Sequence, residues 1–162
     1  MDSGRQAKWK VYCAREVGFS INYPAEMEVA PKAPQVTAEG KFSLVEWRVP
    51  RAEWFVVLHV HELPPETTTQ PLKELLEDWG GYLEETKLAD DVPAVLRTSL
   101  FEAIFEKSVF FRERSGHRVV EVVLVVPKIV DWMGPAEKVE AQLRDQGRIF
   151  ESMVKSIRVG AC

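Results

Sequence analysis

The chain has 162 residues, 46% hydrophobic and 28% charged, the balance of a single folded domain around one core. Its net charge of -4 and pI near 5.5 repel phosphate backbones, so nucleic-acid binding has no electrostatic support. The longest strongly apolar stretch, Val119 to Val126, contains Glu121 and falls far short of the roughly 20 residues that cross a bilayer as a helix, which leaves no transmembrane segment.

The first residues, Met1 to Lys8, are polar and lack the apolar region of a secretory signal. A mature exported protein would look the same, so the compartment stays open. Alternation then begins. Trp9, Val11 and Cys13 suggest a first strand over residues 8 to 14. Phe19, Ile21 and Tyr23 alternate with Ser20 and Asn22 in a second, half-buried strand that Pro24 stops. Lys41 to Val49 and Glu53 to Glu62 read as a hairpin around Pro50-Arg51-Ala52. A two-residue turn would set Trp47 against Trp54 and Arg48 against Glu53, whereas a four-residue loop would set Trp47 against Val56.

Pro64, Pro65 and the Thr67 to Thr69 triplet break the β pattern, and Thr69 can cap a helix whose first turn holds Pro71. Leu72, Leu75, Leu76, Trp79 and Leu83 share one helical face, so a helix is expected to about Glu85, although Gly80 and Gly81 weaken it. From Leu96 to Val126 the chain is β-rich, divided late by Ser115-Gly116. A two-residue turn there places Glu113 opposite Arg118 and gathers Phe105, Val109, Phe111, Val120, Val122, Leu124 and Val126 on one face, the expected core. The other face, with Glu106, Ser108 and Glu121 beside Phe110, Val123 and Val125, is mixed and expected to be only partly covered. Pro135 opens a last helix with Val139, Leu143, Phe150, Met153, Val154 and Ile157 at three- and four-residue intervals, which Gly147 is free to bend. Strands, helix, strands, helix is the order of one α+β domain spanning 1–162: an antiparallel β-sheet flanked by helices.

The two ends carry a family likeness. Gly18-Phe-Ser-Ile-Asn-Tyr-Pro24 followed by Met27-Glu-Val29 resembles the opening strand and Tyr-Pro turn of PsbP-like proteins, and Ile149-Phe-Glu-Ser-Met-Val-Lys-Ser-Ile157 resembles their closing helix. The superfamily includes photosystem extrinsic subunits, bacterial lipoproteins of the DcrB type and a nuclear-import factor that binds a Ran GTPase. The resemblance implies a sheet flanked by helices, a binding or assembly role with another protein as partner, no established catalysis, no cofactor, and export as an option. It transfers no functional residue, because its motifs are structural.

Candidate chemistry is sparse. His59 and His61, two apart in a strand, point to one face and are candidate ligand or metal residues, with further ligands to come from positions such as Glu46, Glu106 or Glu121. The simpler reading is two histidines on the wetter face of a strand whose Val56, Leu58 and Val60 face inward. Arg112, Arg114 and Arg118, with His117, surround the Ser115-Gly116 turn as a candidate anion or partner patch that Glu113 partly neutralises. Cys13 and Cys162 either form one disulfide or are two free thiols. Glu84-Glu85 and Asp90-Asp91 read as solvated surface, and Trp132 and Met133 ahead of the last helix read either as an exposed apolar patch or, more simply, as a hydrophobic staple or core plug. No Gly-x-Ser-x-Gly, His-Glu-x-x-His or Gly-rich phosphate loop is present. The expected function is a non-catalytic binding or accessory domain. The alternative is a metal-binding protein or metal-dependent hydrolase using His59 and His61.

Overall fold

A computed structural model describes residues 8–32, 37–38, 40–114 and 117–162. Ten strands are described: β1 (Trp9–Ala14), β2 (Phe19–Pro24), β3 (Glu28–Pro31), β4 (Lys41–Arg48), β5 (Phe55–Glu62), β6 (Tyr82–Lys87), β7 (Pro93–Phe101), β8 (Ile104–Arg112), β9 (Arg118–Val126) and β10 (Arg158–Val159). Helix α1 is Leu72–Leu76 and α2 is Ala136–Lys155. Seven strands form one antiparallel sheet in the order β3-β4-β5-β9-β8-β7-β6, and β1-β2-β10 form a small second one.

Period-two alternation decides what each sheet buries. Val56, Leu58, Val60, Val109, Phe111, Val120, Val122 and Leu124 are fully buried on one face of the large sheet, with Val126 nearly so and Phe105 half-buried at its margin. Helix α2 and the small sheet cover that face, giving two layers around one core. Phe19 of β2 meets Phe111 edge to face at 5.2 Å, and Tyr12 of β1 meets Trp47 at 5.5 Å. From α2, Phe150 and Met153 enter the core and Ile157 follows just beyond the helix, while Leu143 is half-buried. The helix runs through Gly147 without interruption.

Trp47 pairs with Val56 and Arg48 with Phe55, the longer-loop register, and the Arg48 guanidinium lies 4.3 Å over the Phe55 ring. The helix expected to Glu85 ends at Leu76, tightens to a 3-10 turn over Glu77–Trp79 and gives way to strand β6. Gly80 and Gly81 both adopt left-handed φ (75° and 83°), turning the chain so that Tyr82–Lys87 pairs along the open edge of β7. Leu83 still joins Leu72, Leu75 and Trp79 in one apolar cluster, but reaches it from a strand. Met133 is 82% exposed and Trp132 only half-buried, so this pair is not a core plug.

The Ser115-Gly116 turn lies outside the described residues, but the Glu113 N–H donates to the Arg118 carbonyl at 3.0 Å and Arg112 pairs with Val119, the register expected from it. Cys13 and Cys162 form a disulfide with Cα atoms 5.8 Å apart, fastening the last residue to β1.

Candidate functional site: a polar cleft on the far face of the large sheet

The face opposite the core collects polar residues from four adjacent strands. A bulge in β4 between Ser43 and Val45 keeps Phe42, Val45 and Trp47 inward while sending Ser43 and Glu46 to the far face. Ser43 stands opposite His59 on β5, and His59 stands opposite Glu121 on β9. Ser43 Oγ and His59 Nδ1 are hydrogen-bonded at 2.8 Å. His61 Nε2 and Glu121 Oε1 are hydrogen-bonded at 2.9 Å, and Ser108 Oγ on β8 donates to Glu121 Oε2 at 2.6 Å.

This network is shielded. Ser108 is fully buried and His61 and Glu121 are each 6% exposed. Burial, reinforced by Lys41, lowers the pKa of His59 from 6.5 to about 4, so its imidazole is neutral at pH 7. Burial by itself would raise the Glu121 carboxyl, but hydrogen bonds from His61 and Ser108 and the histidine charges outweigh it and hold the group below its ordinary value.

Above the network sits a cleft of about 420 Å³ whose walls include Trp79, Phe110 and Leu63, with Lys41, Arg97 and Glu106 among its polar lining. Trp79 lies 4.9 Å from the His61 ring and 5.5 Å, edge to face, from Phe110. Arg97 pins it, donating from Nε to the Gly80 carbonyl at 2.7 Å and from Nη2 to the Trp79 carbonyl at 3.2 Å. The expected partly covered face is thus covered by α1 and Trp79 at one end, where Leu76, Val95, Phe110 and Val119 are buried.

His59 and His61 do share a face, with ring centroids 6.5 Å apart, but each is committed to a different protein group. Among the described residues no three His, Cys, Asp or Glu side chains stand together where they could hold a metal ion. Glu46 is engaged by Lys32 and Arg48. The arginine candidates divide. Arg112 donates to the Thr67 and Gln70 carbonyls at 2.9 and 2.8 Å, holding the segment that leads into α1. Arg118 pairs with Glu113 at 2.9 Å and donates to the Glu16 carbonyl at 2.6 Å. Arg112 and Arg114 line a common depression of about 670 Å³ together with Glu113 and Gly160, and Arg118 is not among its lining residues.

Sequence reading missed Ser43, Lys41, Trp79 and Arg97 as parts of one site. Ser108 was noted only as a polar residue on a mixed face, and Glu121 as that and as a possible further metal ligand, not as the hydrogen-bond partner of His61 and Ser108. A signal was available: buried-strand runs interrupted by Ser108 and Glu121 at matching parity mark polar groups that must find partners.

Solved structures of similar shape cover nearly the whole chain. The solution structure of cyanobacterial PsbP (CyanoP) from Synechocystis sp. PCC 6803 matches with TM-score 0.57 at 11% identity, over 98% of this chain and 96% of that one. The fold is PsbP-like. A crystal structure from Bacteroides thetaiotaomicron matches with TM-score 0.53 at 15% identity, over 93% of this chain and 48% of that larger one. A weaker likeness, TM-score 0.49 at 12% identity, is to the Saccharomyces cerevisiae Ran-binding protein Mog1p. No family model and no curated protein matches the sequence. The PsbP-like fold places the small sheet and α2 on the core face and leaves the Trp79 cleft on the opposite one.

Proposed function

We propose that this PsbP-like domain is a non-catalytic binding or accessory module that engages a protein partner through the Trp79 cleft. The observation carrying this reading is that the polar network beneath the cleft is satisfied internally: both Glu121 oxygens are used and the Ser108 hydroxyl is spent on one of them. Ser43 does meet a histidine, but one whose low pKa makes it a weak general base at neutral pH. A half-buried tryptophan with cationic and anionic neighbours is the composition of an interface anchor. The Cys13–Cys162 bridge supports an oxidising compartment as its place of action.

The test compares proteins captured by the wild-type domain and by Trp79→Ala, followed by calorimetry with the purified partner. Loss of a stoichiometric complex in a folded Trp79→Ala variant is expected. Hydrolysis of ester, peptide or phosphoester substrates that disappears in Ser43→Ala or His59→Gln would overturn the reading in favour of an enzyme.

A further inference from the structure

Where β6 and β8 end and β7 begins, two depressions run into one another. The first, of about 420 Å³, has Lys73, Glu85 and Lys87 among its lining, and the second, of about 670 Å³, has Val92, Arg112, Arg114 and Gly160. Pro71, Leu72 and Pro93 line both, so the two make one open groove with an apolar middle.

Strand register brings the charges to it. Lys87 pairs with Pro93 and Glu85 with Val95, a residue buried in the cluster under α1, so Lys87 and Glu85 stand on the α1 side of the sheet. Arg112 has the parity of Phe110, the partner of Val95, and takes the same side. Its bonds to the Thr67 and Gln70 carbonyls hold the segment that leads into the Pro71–Leu72 wall. Arg114 follows just beyond β8 and lies against Gly160, where a Cβ would stand 3.3 Å from its Nη1. Glycine, at a φ of 85°, leaves the guanidinium that room.

Positive charge is in excess here, although the chain carries a net charge of -4. Lys73, Lys87, Arg112 and Arg114 line the groove against Glu85 and Glu113, and Glu113 is paired at 2.9 Å with Arg118, which lies outside it. Asp90 and Asp91 precede Val92 but are not lining residues. Lys73, Lys87 and Arg114 form no ion pair among the described residues. Lys87 and Arg114 are separated by two strand spacings and two residues of rise, roughly 12 Å between backbones.

We propose that this groove binds an extended acidic segment of a partner protein, with one carboxylate on Arg114, a second on Lys87 and the residues between them against Pro71, Leu72 and Pro93. The separation of the cations selects the ligand. A single phosphate group needs its cations at one point, whereas carboxylates three residues apart in an extended chain lie roughly 9 to 10 Å apart and reach both ends. A basic segment would meet like charge. The groove shares no lining residue with the Trp79 cleft, so it is a second contact surface and does not depend on the first.

Fluorescence anisotropy of labelled acetyl-Glu-Leu-Pro-Glu-amide at low salt tests the proposal. Peptides with Gln or Lys in place of both Glu are the controls, and Lys87→Gln and Arg114→Gln are measured beside the wild type. One-to-one binding of the acidic peptide alone is expected, weakened about fivefold by each substitution, as for loss of one exposed charge contact. Trp79→Ala should bind the peptide as the wild type does, which separates this outcome from that of the partner test. Equal binding of the Gln peptide would overturn the proposal, as would an affinity unchanged in both variants or no binding of the acidic peptide at millimolar concentration. Tripolyphosphate that displaces the peptide at concentrations below the peptide's own Kd would also overturn it, in favour of a phosphate site. Both substituted side chains are exposed, so the variants should fold, and thermal unfolding checks this.

Discussion

The disulfide between Cys13 and Cys162 spans a sequence separation of 149, so it closes a covalent ring around nearly the whole domain. Replacing both cysteines with serine removes that constraint and little else. Both residues are exposed, so no cavity forms, and the small sheet keeps its β1–β2 pairing and the Gly160 N–H to Gly18 carbonyl hydrogen bond of 2.6 Å. The effect therefore falls on the unfolded ensemble, which gains the freedom of an open chain. For a ring of this size the chain-entropy relation gives a loss of about 5 kcal/mol at 25 °C. That is a large share of the 5–15 kcal/mol typical of a domain, roughly speaking, so the variant should fold only marginally. In urea, with a slope of about 2 kcal/mol per molar, the midpoint should fall by roughly 2.5 M. Tryptophan fluorescence of the oxidised wild type and the double serine variant measures this directly. A loss under about 1 kcal/mol would refute the entropic account. Two free thiols in the unfolded, unreduced protein would remove its premise.

Other outcomes follow from the core and the polar network. Phe150→Ala, at a position only 1% exposed, should cost about 3 to 5 kcal/mol in chemical denaturation. Ser108→Ala leaves Glu121 Oε2 without its buried donor and should cost about 1 to 3 kcal/mol, with the Glu121 carboxyl titrating higher by NMR. His59 contributes a pH dependence of definite sign. Its pKa falls from 6.5 to about 4 on folding, so between those values the unfolded chain binds the proton first. Stability should be flat in this term above pH 6.5, fall as pH drops towards 4, and lose about 3 kcal/mol in all at the upper limit. Denaturation midpoints across this window check the slope, which His59→Gln should flatten.

Much of the architecture was legible in the chain itself. Alternation in Phe19-Ser-Ile-Asn-Tyr23 and from Phe105 to Val126 assigned side chains to faces, and the stripe from Val139 to Ile157 called for a docked final helix. Both signals are local, because strand and helix periods are properties of neighbouring residues. The candidate site was legible only in part. His59 and His61 could be placed on one face, yet their partners Ser43 and Glu121 depended on the β4 bulge and on β5 lying beside β9.

The Gly80-Gly81 region shows where local reading fails. Leu83 fits the helical stripe of Leu72, Leu76 and Trp79 by spacing alone, but the unpaired edge of β7 offers the following segment a ladder of cross-strand pairs, and two glycines that tolerate left-handed φ let the chain take it. Composition and periodicity thus determined an α+β fold with an antiparallel sheet, and which residues turn inward. Only tertiary structure decided that His61 meets Glu121 across 60 residues, that Cys13 meets Cys162, and that Arg114 lies against Gly160 in a groove. The physical reason is that periodicity specifies the face a side chain takes, whereas its neighbour on that face is set by strand order and by how far each covering helix reaches.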